Sequence, residues 1–423
     1  MVNSSVSPNA AALFKNATEA YNTSQFEQAV EHCRAVLSAL ANVKKAPESV
    51  LFDKVYERMV IAYQRLGDLV SAQAVVDEWL AQTGRDEGRI LAIIQHCRVK
   101  DFAGDYEDAT RLADEAIVLA ETAGYGQGLG FAKRARADIL WKLGHTDDAL
   151  IYAESALELL EQAEDLEQQS AAHVSLSIIH HIKGHFYKAI YHLQQSIQLM
   201  EQLGQQYELA ITYNNLGENY AQLYAMDKAL EAHQRALDLV GIESAHPDLI
   251  RNLGMDLIGV GREVEGREYL ALALERGRHD PDLIAQTLYS LADVNIQAGL
   301  LDEAEQQGRE LLMIANKRDS LRHRIRALMV LGEIASRQGD YLTAQAHFHD
   351  SSMLAQRSAN NQAIWRTHAA LHKLMHDTMP QMAEIHRRTA AEMITNIMHS
   401  IEDDDLRMCF QQADIVRLVL EVD

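Results

Sequence analysis

The chain has 423 residues, of which 61 are Asp or Glu and 39 are Lys or Arg, so its formal net charge at pH 7 is −22. This charge disfavours nucleic acid, whose binding depends on Lys and Arg neutralising phosphates, and anionic membrane surfaces, and it favours a basic or neutral partner. No apolar stretch approaches the roughly 18 residues that span a bilayer, and the N-terminus has no signal-peptide pattern.

Helical patterns follow one another in pairs along almost the whole chain. Residues 1–7 are polar, and we expect them to fray. The first pair is Ala11–Asn22 with Phe26–Leu40. The next four pairs are Val50–Leu66 with Leu69–Ala81, Arg89–Ala103 with Tyr106–Thr122, Leu129–Leu143 with Thr146–Gln162, and Gln168–Lys183 with Phe186–Leu203. Only five prolines occur, which fits an all-helical chain because Pro costs about 3 kcal/mol inside a helix.

A turn signature separates the two helices of each pair. A Gly is followed five positions later by an Ala, and degenerate copies keep the same spacing. Including those copies, the signature begins at Ser24, Gly67, Gly104, Gly144, Gly184, Tyr224, Gly261, Gly299 and Gly339. One helical hairpin cannot bury its own apolar face, so nine copies 37 to 43 residues apart predict a stacked repeat array.

The most regular copy is Tyr213–Leu239. Apolar or small residues recur there at i, i+3, i+4 and i+7 in each of two helices, with Gly217 and Ala229 where the helices would cross closest. This sequence pattern resembles a tetratricopeptide repeat (TPR) of the kind found in kinesin light chains and in bacterial multidomain regulators. The resemblance covers residues 8–378 and implies an all-α, right-handed superhelix of about nine hairpins.

The end of the chain departs from the repeat pattern. Pro247 and Pro281 open the seventh and eighth repeats, and Ser320–Gln338 with Tyr341–Ser358 form the ninth. Further helical patterns are Ala363–Met375, Pro380–Ser400 and a short tail from Asp405. We interpret residues 379–423 as helices that cap the array.

Two local features invite a chemical interpretation. The glycine-rich segment 124–130 lacks the preceding strand and the Lys-Ser/Thr of a phosphate loop, so we interpret it as a flexible linker between repeats. The histidines form two dense groups, namely His173, His180, His181, His185 and His192, and His368, His372, His376 and His386. No HExxH pattern or nearby Cys accompanies them, so we favour packed or solvated histidines over a metal site.

No motif for catalysis is present. The chain has no nucleophile elbow, kinase loop or paired-carboxylate motif, and we expect no catalytic residue, metal or cofactor. Cys33, Cys97 and Cys409 have no CxxC spacing and indicate reduced thiols, so we expect a cytoplasmic protein.

The resemblance implies that the first helix of each repeat lines a concave groove. By that register the candidate binding residues are Arg134, Asp138, Trp141, Asn214, Asn215, Glu218, Tyr289, Asp293 and Glu333. Other inner positions include Glu57, Arg65, Arg98, Asp101, Arg251 and Arg337. The chaperone-binding members use Lys and Asn as a carboxylate clamp, but here Asp138, Glu218, Asp293 and Glu333 occupy clamp-type positions. The groove is therefore predicted to prefer a basic, donor-rich peptide, with Asn214 and Asn215 bonding its backbone.

Two functions remain open at this point. The first is a non-catalytic scaffold that binds a peptide or a helical segment of a protein partner in the groove. The second is a regulatory or sensory arm of a larger bacterial signalling assembly with an ATPase, cyclase or transcription regulator. Such an arm would act as a homo-oligomer or through a ligand-induced change of curvature.

Overall fold

The structure is a computed structural model that describes residues 8–41, 43, 45–358 and 360–420. Within these ranges the chain forms 22 α-helices and one short 3-10 helix, with no β-strand. The all-helical repeat fold predicted from the sequence is confirmed. The segment 1–7, predicted to fray, lies outside the described residues.

The helices pair as consecutive antiparallel hairpins. The first five hairpins are α1 (Pro8–Asn22) with α2 (Phe26–Leu40), α3 (Val50–Arg65) with α4 (Leu69–Gln82), α5 (Asp86–Phe102) with α6 (Tyr106–Ala123), α7 (Gly126–Lys142) with α8 (Thr146–Gln162), and α9 (Leu166–Ile182) with α10 (Phe186–Leu203). The 3-10 helix Ala46–Glu48 precedes α3.

The second half continues the same pattern. Its hairpins are α11 (Gln206–Gln222) with α12 (Met226–Ser244), α13 (Pro247–Gly259) with α14 (Glu263–Arg276), α15 (Pro281–Gln297) with α16 (Leu301–Lys317), α17 (Leu321–Arg337) with α18 (Tyr341–Arg357), and α19 (Asn361–Met375) with α20 (Pro380–His399). The tail forms two helices, α21 (Asp404–Gln412) and α22 (Asp414–Leu420), because Ala413 adopts an extended conformation between them.

The turn signature marks a specific backbone conformation. All nine predicted turn positions have a positive φ, including the non-glycine copies Ser24 at 64° and Tyr224 at 58°. Glycine adopts this left-handed conformation without a steric penalty, which explains its recurrence there. The Ala five positions later is fully buried in each hairpin that has one, and these residues are Ala29, Ala72, Ala109, Ala149, Ala189, Ala229, Ala304 and Ala344.

Two examples illustrate how glycines inside helices allow close packing. A Cβ at Gly217 would lie 2.4 Å from Nε2 of His233, so the ring of His233 occupies the space that a side chain on α11 would need. In the segment 124–130, Gly124 ends α6 at φ 63° and α7 begins at Gly126, where a Cβ on Gly130 would lie 2.9 Å from Cγ of Leu160. The linker predicted there is confined to Gly124 and Tyr125, because the rest of the segment is the first turn of α7.

The chain divides into two compact units. Unit 1 comprises Met1–Ile179 and His192–Thr212, and unit 2 comprises His180–Tyr191 and Tyr213–Asp423. Each unit has its own long-range contacts, and the two are described separately below.

In unit 1, residues of the first two hairpins contact the start of α11. The hydroxyl of Tyr21 donates to Oε1 of Glu208 at 2.6 Å, and Arg65 bonds the same carboxylate oxygen at 3.3 Å. The rings of Phe26 and Tyr207 meet edge to face, with their centroids 5.2 Å apart. Residues more than 180 positions apart in sequence are thus neighbours.

Unit 2 has a comparable long-range contact. Arg366 on α19 donates to Oε1 of Gln222 at the end of α11, at 3.2 Å. The ring of Phe410 on α21 lies 6.1 Å from that of Tyr224 and 6.4 Å from that of Trp365. Helix α21 therefore packs against Tyr224, which follows Gln222 closely in sequence, and against Trp365, which precedes Arg366.

Candidate functional site

Unit 1 contains two cavities along the first helices of its hairpins. The larger, of about 680 Å³, is lined by Glu57, Arg58, Arg85, Tyr125, Asp165 and Glu167, among others. The smaller, of about 400 Å³, is lined by residues of α1, α3, α5, α7, α9 and α11. Both volumes fall within the range of roughly 300–1,000 Å³ that is usual for ligand sites.

Three predicted site residues, Arg134, Asp138 and Trp141, line the smaller cavity. Arg134 is buried and donates to Oδ2 of Asp138 at 3.1 Å and to Oε1 of Gln168 at 3.2 Å. The other carboxylate oxygen of Asp138 accepts from the hydroxyl of Ser175 at 2.7 Å. Asp138 is therefore already neutralised by its own chain, and it is not a free acceptor for a ligand.

Buried N–H groups at this cavity, including the Nε–H of Arg65, have no hydrogen-bond acceptor among the described residues. Among the described residues, neither the indole N–H of Trp141 nor the Nε–H of Arg134 has a hydrogen-bond acceptor. A buried donor without a partner costs roughly 1–3 kcal/mol. A ligand that supplies carbonyl or carboxylate oxygens here would therefore recover free energy.

The larger cavity holds a carboxyl group with an altered pKa. Burial, together with the negative charge of Glu167, raises the pKa of Glu57 to about 7. Oε1 of Glu57 accepts a hydrogen bond from Gln95 at 3.3 Å. The protonated fraction of Glu57 therefore changes steeply with pH near neutrality.

We expect Glu57→Gln to stabilise the protein at pH 8 by about 1 kcal/mol and to have little effect near pH 4. The folded state holds the Glu57 proton more tightly than the unfolded chain, whose Glu pKa is near 4.5. Wild-type stability is therefore lost as the pH rises from about 4.5 through 7. Urea unfolding at both pH values measures this effect, with Glu87→Gln in the same cavity as the control. An equal effect of Glu57→Gln at the two pH values would contradict the assignment.

In unit 2, Asn214 and Glu218 are joined through a third side chain. Nδ2 of Asn252 donates to Oδ1 of Asn214 at 3.0 Å and to Oε1 of Glu218 at 3.1 Å. Arg251 lies 3.8 Å from the same Glu218 oxygen. The backbone carbonyl of Asn215 accepts from Asn219 at 2.8 Å. Asn214 and Glu218 are thus occupied within the chain.

The remaining predicted residues of unit 2 are Tyr289, Asp293 and Glu333. Glu333 pairs with Arg337 at 3.0 Å and with Lys373 at 3.6 Å. Within the described ranges no cation lies within ion-pair distance of Asp293, and burial raises the pKa of its carboxyl group. Its neighbour Tyr289 lies 5.1 Å from the guanidinium of Arg326, measured to the ring centroid. Asp293 is therefore the predicted carboxylate that remains available to a ligand.

The structure thus divides the predicted residues between the two units, with three in unit 1 and six in unit 2. Sequence reasoning missed Tyr21, Arg58, Glu167 and Glu208, which line the cavities of unit 1. No local signal marks them, because they reach the cavities only through contacts between distant hairpins.

The histidine groups form buried pairs. Nδ1 of His173 lies 3.0 Å from Nδ1 of His192, and Nδ1 of His368 lies 2.9 Å from Nδ1 of His386. Burial lowers the pKa of His173 and of His386 to about 4, so both rings are neutral near pH 7. No group of three or more potential metal ligands occurs in the part of the chain that the structure describes. Within the same ranges no helix is both long and apolar enough to cross a bilayer.

Comparison with known proteins bears on the repeat type. Residues 168–240 match the model of the tetratricopeptide repeat family. The 43 kDa receptor-associated protein of the synapse from Tetronarce californica is 24% identical over 222 residues, which are 51% of this chain and 53% of that protein. The chain thus spans about half the length of this curated relative.

Solved structures share the fold at low sequence identity. A Rap protein complexed with Competence and Sporulation Factor matches with a TM-score of 0.59 and 13% identity, over 83% of this chain and 98% of that one. The Rap conjugation gene regulator of the plasmid pLS20, in complex with the Phr* peptide, matches with a TM-score of 0.50 and 13% identity, over 83% and 96%. Together with the repeated hairpins and their turn register, these matches show that the chain has the fold of a tetratricopeptide-repeat solenoid.

Proposed function

We propose that this protein is a non-catalytic scaffold that binds a peptide or a helical segment of a protein partner on the first helices of its hairpins. The observation that carries the proposal is the set of buried polar groups there that its own chain leaves unsatisfied. In unit 1 these include the N–H groups of Trp141 and Arg134. In unit 2 the partly exposed carboxylate of Asp293 has no ion pair among the described residues. A peptide offers both acceptors and donors along its backbone, so it suits such a lining.

The chemistry of unit 2 favours a basic side chain in the ligand. Asp293 lies beside Tyr289, and its electrostatic surroundings include Arg366, Glu333 and Arg337, but neither arginine forms an ion pair with it among the described residues. A Lys or Arg placed at Asp293 would gain an ion pair and would cover an aromatic ring. The net charge of −22 adds long-range attraction for such a partner.

The test is a selection of binders from a random linear peptide library on the immobilised full-length chain. We expect selected peptides to bind Trp141→Phe about two- to tenfold more weakly, because the variant keeps an aromatic ring but loses the indole N–H. We expect Glu218→Lys with Asp293→Lys to weaken binding of the peptides that carry Lys or Arg, and to do so more at low salt. Charge attraction is screened as the Debye length falls from about 10 Å at 0.1 M salt to 3 Å at 1 M.

Fluorescence anisotropy with the labelled peptides measures both effects. The matched control is Ile151→Ala, which changes an exposed residue on the second helix of the Trp141 hairpin. If every selected peptide binds these variants as tightly as the wild type, the first-helix surface is not the binding site. If the library yields no binder, the scaffold proposal itself fails.

A regulatory role is the second candidate function. It is favoured by the fold shared with the pLS20 conjugation gene regulator, a protein whose solved structure contains the Phr* peptide. A regulator would change its hydrodynamic radius or its oligomeric state when a selected peptide binds. Analytical ultracentrifugation with and without the peptide separates this role from that of a passive scaffold.

A further inference from the structure

The smaller cavity of unit 1 is lined by one more basic side chain than the number of ion pairs it contains among the described residues. Four basic side chains line it, and three of them have carboxylate partners. The pairs are Arg65 with Glu208 at 3.3 Å, Arg134 with Asp138 at 3.1 Å, and Lys142 with Asp101 at 2.6 Å. The fourth cation is Arg98.

Arg98 lacks a carboxylate within ion-pair distance among the described residues. Its Nη1 donates to Oε1 of Gln95 at 3.5 Å, which is a weak bond to a neutral group. Its guanidinium lies 5.9 Å from the ring centroid of Phe131, and the guanidinium of Arg134 lies 4.9 Å from the same centroid. Two cations thus share one aromatic ring, and only one of them is neutralised.

The electrostatic surroundings disfavour this positive charge, because the opposing charge of Asp138 does not offset burial and the two neighbouring arginines. Burial, followed by the charges of Arg134 and Arg65, lowers the pKa of Arg98 to about 10. A guanidinium normally loses its proton only above pH 12. An anion beside Arg98 would remove this unfavourable interaction and would use the open donors of its planar fork.

An apolar wall lies in the same cavity. Trp141, Val174, Ile178 and Ile211 are partly exposed there. A small inorganic anion would leave this wall uncovered. A ligand that carries a carboxylate next to an apolar side chain would satisfy both parts of the cavity.

We propose that the smaller cavity of unit 1 binds a carboxylate of the peptide ligand at Arg98, with an adjacent apolar side chain against Trp141, Val174 and Ile178. The inference rests on the proposed function and adds a chemical requirement to it. The carboxylate comes from an Asp or Glu side chain or from the chain terminus, and both form a bidentate pair with a guanidinium. In spite of the acidic chain, this cavity therefore selects an anionic group.

The experiment selects a random linear peptide library in parallel on the full-length wild type and on Arg98→Met. We expect the wild type, and not the variant, to enrich peptides with an acidic residue or a free C-terminus next to an apolar residue. Replacing that carboxylate by an amide, as Gln, Asn or a C-terminal amide, should weaken binding to the wild type about tenfold or more. The same replacement should have little effect on binding to Arg98→Met, which is the signature of a direct pair in a double-mutant cycle.

Two controls separate recognition from folding. Arg326→Met in unit 2 also replaces an arginine that has no ion pair within the described residues, and it should keep the carboxylate dependence. In urea, Arg98→Met should unfold at the same or a higher midpoint than the wild type, whereas Arg134→Met should unfold earlier because it breaks the pair with Asp138.

The outcomes are distinguishable. Selected peptides that bind wild type and Arg98→Met equally, or that tolerate the amide, would overturn this inference and leave the proposed scaffold standing. A library without any binder would overturn the scaffold and the inference together. If Arg98→Met is unstable, the same comparison with Arg98→Gln decides, because glutamine keeps polarity and loses the charge.

Discussion

Replacing His233 with leucine is expected to lower the free energy of unfolding by about 3–5 kcal/mol. His233 is almost fully buried between two helices, where Nδ1 contacts the carboxyl group of Asp256 on α13 and Nε2 donates to the backbone carbonyl of Asn214 on α11 at 3.1 Å. Without the ring, the buried Asp256 loses its hydrogen-bond partner, and burial already raises the pKa of this carboxyl group. Chemical denaturation followed by circular dichroism measures the loss.

The double variant His233→Leu with Asp256→Leu is the informative control. Replacing both partners of a buried polar pair by apolar residues removes the unpaired group and is often neutral. We expect the double variant to recover most of the lost stability. In the single variant, faster amide hydrogen exchange should be confined to α11, α12 and α13, because stability in a repeat array is local. A single variant within 1 kcal/mol of the wild type would show that the His233–Asp256 contact is not important for stability.

Replacing Asp53 with alanine should destabilise unit 1 to a similar extent, about 3–5 kcal/mol. This carboxylate is 1% exposed. It accepts hydrogen bonds from Nε1 of Trp79 at 2.8 Å, from the hydroxyl of Thr83 at 2.9 Å and from Nη1 of Arg85 at 3.1 Å. The substitution leaves a buried indole N–H without its acceptor and leaves Arg85 with its longer ion pair to Glu87, at 3.5 Å. Tryptophan fluorescence reports the change, since Trp79 loses its hydrogen bond directly.

The control for Asp53 is Asp77→Ala on the neighbouring helix α4. Asp77 is exposed and, among the described residues, accepts a side-chain hydrogen bond only from Gln73, at 2.9 Å. Its loss should therefore change stability by less than about 0.5 kcal/mol. Equal urea midpoints for Asp53→Ala and Asp77→Ala would refute the prediction. The packing around Asp53 also explains Gly88, because a Cβ there would lie 2.3 Å from Oδ1 of Asp53.

The repeat register was readable from the sequence because it depends on residues close together in the chain. Each turn requires a left-handed residue, and the Ala that follows lets the second helix approach the first. Both features recur within about 40 residues, and the structure places a positive φ at all nine predicted turns. The helix bounds follow from the same local rules, with N-caps such as Asp68, Asp105 and Asp340 bonding the first helical turn.

Local rules failed where packing between helices decides the structure. Segment 124–130 was predicted as a linker from its glycines alone, but Gly130 is small because Leu160 of α8 packs against it. His233 packs against Gly217 and Asn214 within its own hairpin, but its buried partner Asp256 lies on the next helix, α13, and the repeat spacing does not reveal that contact. The sequence shows only that a residue is a glycine or a histidine. Whether it packs against another helix depends on the residues around it in the folded chain.

The sequence by itself determined which face of each helix is buried and which residues lie on the first helices, because helical periodicity sets both. Only the tertiary structure decided which of those residues are already paired within the chain. Small rotations between successive hairpins add up over several repeats, and their sum brings Tyr21 to Glu208 in unit 1 and Gln222 to Arg366 in unit 2. The ion pairs of Asp138 with Arg134 and of Glu333 with Arg337 are local, because each joins residues one helical turn apart. Only the tertiary structure shows that Arg98 and Asp293 have no ion pair among the described residues. The sequence of a single repeat contains no information about the summed rotation that produces these long-range contacts.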